Sequence, residues 1–502
     1  MIKYSHHFIS FIFTLSIICI SCKKVTHSTP DTNASQALLS VKRGSETGIY
    51  DRDGRYFILR GVNYNVLGDY WQANPNVATT AIYQEDQLKK MASYGFNCIR
   101  LIFTWSAIEP QRGQYDFAYI QKIKKVVEDA QKYGLLILVD LHQDAYSKFI
   151  FSTTDDACEF PQKGWDGAPQ WAVFTDNESA CSVTGSRESS RAVVHAWQNL
   201  WDNKDGIRDR MVDLWKVIVQ ELGNYENVIG YDIINEPSLG YSSLPDQQRK
   251  LADYYGKTVQ TIRSTEKFNS QTNKMIFFGP AVTFNGEEIP SVVGPEFTQD
   301  KNIVFSPHHY FETISNVLTI EQGFTLYDML AKGYQAPCMI GEWGVFFSSI
   351  PDLNKLARFV KQEDLYRMGS TFWQWSQSPG DPHSIPWDGQ NYEQTQLNLA
   401  EIDIHGNYTG VYNDLFLKYL ARTRPIAIWG RNFSYSSDPQ TGKFQLTANA
   451  DSKGVTELWI PDFFGEPKIS GNRINVLELQ SVSGGYHAKI ESQGLYTIHV
   501  TF

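Results

Sequence analysis

The 502-residue sequence has no surplus of positive charge: 45 Lys and Arg stand against 55 Asp and Glu, a net charge of −10. A nucleic-acid partner needs a basic surface to neutralise its phosphates, so that class is excluded. Long apolar runs are also missing. With 20% charged and 42% hydrophobic residues, the composition fits neither a disordered chain nor a multispan membrane protein. Cysteine is scarce at six residues, and beyond the N-terminal leader no two show the close spacing of a zinc site. Aromatics are plentiful instead, with 13 Trp, 27 Tyr and 29 Phe. Many of these belong to a core, but the excess also suits stacking against sugar rings.

Residues 1–22 read as an export leader. Lys3 gives a positive start, and the apolar run 8–20 is too short to span a bilayer. The run ends in Cys19-Ile20-Ser21-Cys22, which resembles a bacterial lipobox. Cys22 is then expected to carry lipid and anchor an exported protein to a bacterial membrane, on its periplasmic or outer face; an ordinary secretory leader is the alternative. Residues 23–45 are expected to form a flexible tether, since the stretch to Ala37 is rich in Ser, Thr, Asn, Asp and Pro. An oxidising compartment would allow Cys158 and Cys181 to pair. Cys98 and Cys338 lie in apolar runs and are expected to be small buried fillers.

Eight short apolar runs recur along the chain: 56–64, 97–103, 135–141, 228–234, 274–279, 303–306, 338–341 and 370–375. Between them lie amphipathic segments, the clearest at 83–94, 117–133 and 355–367. Each of these three is followed by Gly (Gly95, Gly134, Gly369), as at a helix end feeding the next strand. Apolar strands alternating with helices predict a parallel sheet covered on both faces, and eight such units predict a (β/α)8 barrel over 46–424. The stretch 144–205 lacks a long helical period and reads as an inserted loop on the catalytic face. Residues 425–502 show short alternating runs between turn signals, and predict a small all-β sandwich.

Polar residues at strand ends would point into the barrel mouth. The fourth strand runs out in Asn235-Glu236-Pro237 and the seventh in Gly341-Glu342-Trp343-Gly344, on opposite sides of the barrel. Two carboxyls facing each other are what glycosidic cleavage requires: one protonates the leaving oxygen and the other attacks the anomeric carbon. A single strand-end Glu reads equally as a cap or ion pair. Arg100, ending the second strand, would hold Glu342 ionised or simply form a structural ion pair. His142 and Asp144 share a face and would bind sugar hydroxyls, although His-x-Asp also occurs in metal barrels. His308 and Tyr310 share a side, where His308 would steady the acid and Tyr310 would donate to the nucleophile. Trp373 and Trp375 would give stacking floors, or fill core.

The set Arg100, His142, Asn235-Glu236-Pro237, His308-x-Tyr310, Glu342 and the eighth-strand Trp resembles glycoside hydrolase family 5. Longer runs (Asp140-Leu141-His142-Gln143-Asp144, Gly167-Ala168-Pro169-x-Trp171, Phe372-Trp373-Gln374-Trp375, Gly380-Asp381-Pro382-His383) resemble its endoglycoceramidases across roughly residues 50–500. The resemblance implies retaining cleavage of a β-linkage between a glycan and a ceramide-type lipid, with Glu236 as acid/base and Glu342 as nucleophile. Asn235 would bind the sugar 2-hydroxyl. No metal or organic cofactor is implied. The sequence departs from the family after Gly61-Val62-Asn63, where a Lys that contacts sugar is often found and this chain has Tyr64-Asn65-Val66-Leu67-Gly68-Asp69. A related β-glycosidase acting on a steryl or simple hexosyl lipid or on a β-glucan, and a lipid-anchored glycan binder with a silent barrel, are the alternatives.

Overall fold

The computed structural model of the chain describes residues 38–152, 158–282, 292–345, 350–384 and 398–502. The leader, Cys22 and the tether up to Ala37 lie outside the described residues. Eight parallel strands close into the predicted barrel. They are Arg60–Tyr64, Cys98–Thr104, Leu136–His142, Val228–Asp232, Met275–Phe278, Ile303–Phe305 with its continuation His308–His309, Met339–Trp343 and Gly369–Phe372. Pro307 has no N–H to give the ladder and interrupts the sixth strand. Closure is complete: Phe305 lies opposite Cys338, His308 opposite Glu342, and Thr371 opposite Gly61. The second and third strands are buried at every position, which is why they read as unbroken apolar runs.

The covering helices follow the sequence pattern. Phe117–Lys132 is capped by Asp116, whose side chain accepts from the Tyr119 N–H, and it buries Ile120, Ile123, Val127 and Ala130. Gly95 and Gly134 take left-handed backbone (φ +77° and +69°) after their helices. Gly369 does not; Arg367 takes the positive φ (58°) after Ile350–Tyr366. At Gly95 a second constraint acts, because a Cβ there would lie 2.2 Å from the Trp459 ring.

Two expectations change. The insertion does contain a helix, Arg191–Trp201, capped by Ser190. Its buried Ala192, Val193, Ala196, Trp197, Leu200 and Trp201 carry a four-residue period within a stretch otherwise lacking helical signal. The expected tether stops short of residue 45, because Leu39–Lys42 and Gly48–Asp51 are paired strands. Leu39 and Ile49 bury against Cys98, Leu138, Ile229, Phe277, Val304 and Met339 at the base of the barrel, and that burial is what orders the segment. The Cys158–Cys181 disulfide forms, with a Cα–Cα distance of 5.6 Å. Cys98 is buried and Cys338 half-buried.

The C-terminal antiparallel sheet is built from fewer, longer strands than the sequence runs suggested: Phe444–Pro461, Lys468–Val482 and Gly485–Thr501, beside Arg424–Ile428 and Arg431–Ser437. An irregularity between Ala450 and Gly454 divides the first of these. Phe444 and Leu446 before it share one core with Leu458 and Ile460 after it, so the sheet folds over itself as a sandwich. Phe57 pairs with Ala427, which brings the N-terminal strands into the same sheet. Against the barrel, the Trp459 indole donates to the Ala421 carbonyl at 3.1 Å.

Candidate active site

Strand register sets the site. Asn63 on the first strand stands beside Arg100 on the second, Asp140 beside Asp232, and His308 beside Glu342. Arg100 is fully buried. Its Nε donates to Asp232 at 2.9 Å, and its Nη1 to Asn63 Oδ1 at 3.0 Å. Its Nη2 donates to Asp140 at 2.8 Å and Asn235 Oδ1 at 2.9 Å, and Nη1 reaches Glu342 Oε2 at 3.5 Å. Arg100 therefore combines both sequence readings: it is a structural hub whose fork also faces the Glu342 carboxylate. Planar guanidinium geometry permits that many directed bonds, which an ammonium would not.

One carboxylate oxygen from Glu236, one from Glu342 and a ring nitrogen of His308 lie within 4.8 Å of one another. Retaining glycosidases hold their carboxyls ~5–5.5 Å apart, whereas inverting ones leave ~6.5–9.5 Å for a water. The spacing here is that of the retaining geometry. His308 Nδ1 sits 2.8 Å from Glu236 Oε1 and 3.7 Å from Glu342 Oε2. Tyr310 donates to Glu342 Oε1 at 2.6 Å. By donor type the trio would also suit a cation, but Arg187, Tyr310 and Arg100 already occupy the carboxylates with positive or hydrogen-bonding groups.

Glu236 has left-handed backbone (φ 36°), an arrangement that costs ~1–3 kcal/mol and persists only where surroundings enforce it. Gln143 enforces it, donating its amide to the carbonyls of Asn235 and Glu236 at 2.9 and 2.7 Å. Asn235 in turn donates to the Gln143 carbonyl at 2.9 Å.

Across the mouth, His142 Nδ1 lies 2.8 Å from Asp140, and its ring stacks on Trp373 at 5.5 Å. Burial would depress this histidine, but the Asp140 bond and the charges of Asp140, Asp166 and Asp144 push it up to about 9. Asp144 is held by two cations, Arg187 at 2.6 Å and His383 at 2.8 Å. His383 is fixed from its other side by Asp381 at 2.7 Å and packs on Trp165. Trp375 is not brought into the site. The strand ends at Phe372, alternation no longer applies, and the fully buried Trp375 donates to Gln87 at 3.1 Å among Tyr94, Phe96 and Tyr412.

The sequence reading missed Arg187 and His383. Arg187 comes from the insertion, and its Nη2 bonds Glu236 Oε2 at 3.0 Å as well as Asp144; nothing around it in sequence singles it out. His383 lies in Gly380-Asp381-Pro382-His383, a motif noted without a role for the residue. The two glutamates also carry an unexpected charge order. Burial would raise Glu236, but the His308 bond and charge and the Arg187 charge hold it below the usual carboxylate range. Glu342 is raised by burial, with the Glu236 charge adding to it, against the pull of His308, Arg100 and His142. These directions, Glu236 held low and Glu342 raised, run opposite to those that the roles implied by the resemblance call for.

Comparison with known proteins agrees with this geometry. The cellulase family (glycosyl hydrolase family 5) matches residues 50–379. An endoglycoceramidase of Cyanea nozakii is 26% identical over 479 residues, 86% of each chain. A crystal structure of an endogalactoceramidase superposes with a TM-score of 0.83 at 31% identity, covering 93% of this chain and all of the other. The lactosyl-enzyme intermediate of endo-glycoceramidase II from Rhodococcus sp. has the same fold, with a TM-score of 0.69 at 21% identity over 91% of this chain and 99% of that one. The chain is a glycosidase and belongs to glycosyl hydrolase family 5.

Proposed function

We propose that the protein is a retaining endoglycosylceramidase, which releases an intact glycan from a ceramide-type lipid. The observation that carries this reading is the Glu236–Glu342 pair within 4.8 Å, with His308 between. The substrate class is supported by the endogalactoceramidase and endoglycoceramidase relatives.

Glu342 attacks the anomeric carbon while Glu236 gives its proton to the departing oxygen of the lipid alcohol. A glycosyl ester on Glu342 results. Glu236, now a base, takes a proton from water, whose oxygen attacks the same carbon and frees the sugar with its configuration kept. Tyr310 steadies the Glu342 carboxylate, and Arg100 orients both Glu342 and Asn235, leaving an Asn235 N–H for the 2-hydroxyl. His142, Asp144 and the Trp373 ring form the glycone floor. Phe151 and Phe160, exposed on the insertion, give the lipid chains an apolar surface, with Trp71 beside Phe151. Trp171 and Phe174 of the same insertion pack on the core.

The test is incubation with a glycosphingolipid, reading released intact glycan, ceramide and the first anomer formed. A retained anomer from the wild type and loss of turnover in Glu342→Gln are expected. Wild-type turnover in that variant, an inverted product, or preference for steryl glucosides or soluble glucans would overturn the reading. The protein is further proposed to be exported and anchored through lipid on Cys22. Cys22→Ser would then move it from the membrane to the soluble fraction, and an unchanged distribution would refute the anchor.

A further inference from the structure

A carboxylic acid delivers its proton from one of two oxygens, and both oxygens of Glu236 are taken. Oε1 faces His308 Nδ1 at 2.8 Å, and Oε2 accepts from Arg187 Nη2 at 3.0 Å. His308 issues from the barrel wall next to Glu342, whereas Oε2 is held from the insertion. Arg187 belongs to the insertion and has other bonds to hold it. The same Nη2 lies 2.6 Å from Asp144, Nε lies 3.1 Å from Glu188, and the guanidinium covers the Trp165 ring at 4.6 Å.

We propose that Arg187 is a displaceable cap on the acid/base: it covers Glu236 Oε2 in the free enzyme and withdraws onto Asp144 and Glu188 when a glycone enters, freeing that oxygen to carry the proton. Arg187 is a positioning residue in this scheme, and the scheme rests on the Glu236 assignment made above. The titratable and charged groups facing Glu236 are His308, Arg187, Asp144, Glu188, Glu342 and Tyr310; those facing Arg187 are Asp144, Glu188, Glu236, Glu342, His383 and Lys163. Withdrawal leaves Glu236 buried beside Asp144 and Glu342 with His308 as its remaining cation, and its proton affinity rises.

The experiment compares pH profiles of kcat/KM, which report the free enzyme, with those of kcat, which report the complex. In Arg187→Met the basic limb of kcat/KM should move up by ~1 pH unit or more, since a cation within a few ångströms depresses a carboxyl by that amount. The basic limb of kcat should stay where the wild type has it. Arg187→Lys keeps the charge and should restore the kcat/KM limb. The position of a limb does not depend on the folded fraction. If Arg187→Met does not fold, a carboxyl-carbon NMR titration of wild-type Glu236 with and without bound glycan replaces it, and glycan should raise the titration point. An unmoved kcat/KM limb, a kcat limb that moves with it, or an NMR titration indifferent to glycan overturns the cap. Glu236→Gln separates the two levels: if its basic limb persists, the acid/base assignment fails rather than the cap.

Discussion

The Tyr310 hydroxyl donates to Glu342 Oε1 at 2.6 Å, from a position two residues beyond the His308 that pairs with Glu342 across the sheet. Buried beside this carboxylate, the phenol is raised well above its ordinary value and stays a donor throughout the working range. Tyr310→Phe keeps the ring and removes that bond. It should lower kcat by ~10²-fold, as for loss of one preorganised donor to a reacting oxygen. Steady-state kinetics alongside a thermal melt check it, and a kcat within twofold of wild type would refute the role.

The two eighth-strand tryptophans should separate. Trp375→Ala opens a cavity in a closed core and should cost ~3–5 kcal/mol of stability. Trp373→Ala should raise KM for the glycan, because the ring that stacks on His142 is lost from the glycone floor. Chemical denaturation and kinetics on the same samples decide; equal effects on both measures in both variants would contradict the placement.

Asp166 offers a test by pH. Both of its oxygens are buried with no hydrogen-bond partner among the described residues. Burial pushes it up to about 8, with Asp144 and Asp381 adding and His142 and His383 opposing. A carboxyl raised on folding favours the native state at low pH, and this contribution is lost as pH rises from the unfolded value of 3.8 through about 8. Asp166→Asn has no proton to lose, so it should raise the melting temperature more at pH 9 than at pH 5. A gain independent of pH would show that the carboxyl is ionised in the native state throughout.

The disulfide joins Cys158 and Cys181, 23 residues apart, on the insertion that carries Trp165 and Arg187. Closing a loop of this size is worth ~3 kcal/mol. Reduction, or Cys158→Ser with Cys181→Ser, should lower the melting temperature and also kcat/KM, since both site residues lose their support. Unchanged kinetics after reduction would show that the insertion is held by its other contacts.

How much was legible in the sequence follows from where each residue sits. A parallel strand buried on both faces is almost all apolar, so charged residues in or just beyond it stand out against the run: Glu342 near the end of its strand, Glu236 beyond its own, and Arg100, which does not end the second strand as expected but lies inside Cys98–Thr104. The insertion and the loop after the eighth strand offer no such background, and Arg187 and His383 could not be ranked above neighbouring charges. Trp375 was misplaced because alternation was carried past Phe372, where the strand stops. Residues 39–45 read as tether because what orders them beyond the local pairing with Gly48–Asp51 is distant in sequence: Val41 donates to Asn302, and the sheet runs on through Phe57, which pairs with Ala427.

That last pairing bears on how the enzyme is made. Tyr56 and Phe57 pair with a strand more than 360 positions later, so this edge of the N-terminal sheet stays open until residues 427 and 428 have left the ribosome. A chain released early, ending at residue 423, would keep all eight barrel strands and both glutamates yet leave Tyr50, Tyr56 and Ile58 without the rest of their core. Those side chains would then present an apolar face to water, so the C-terminal sheet closes a core that the N-terminal strands only begin.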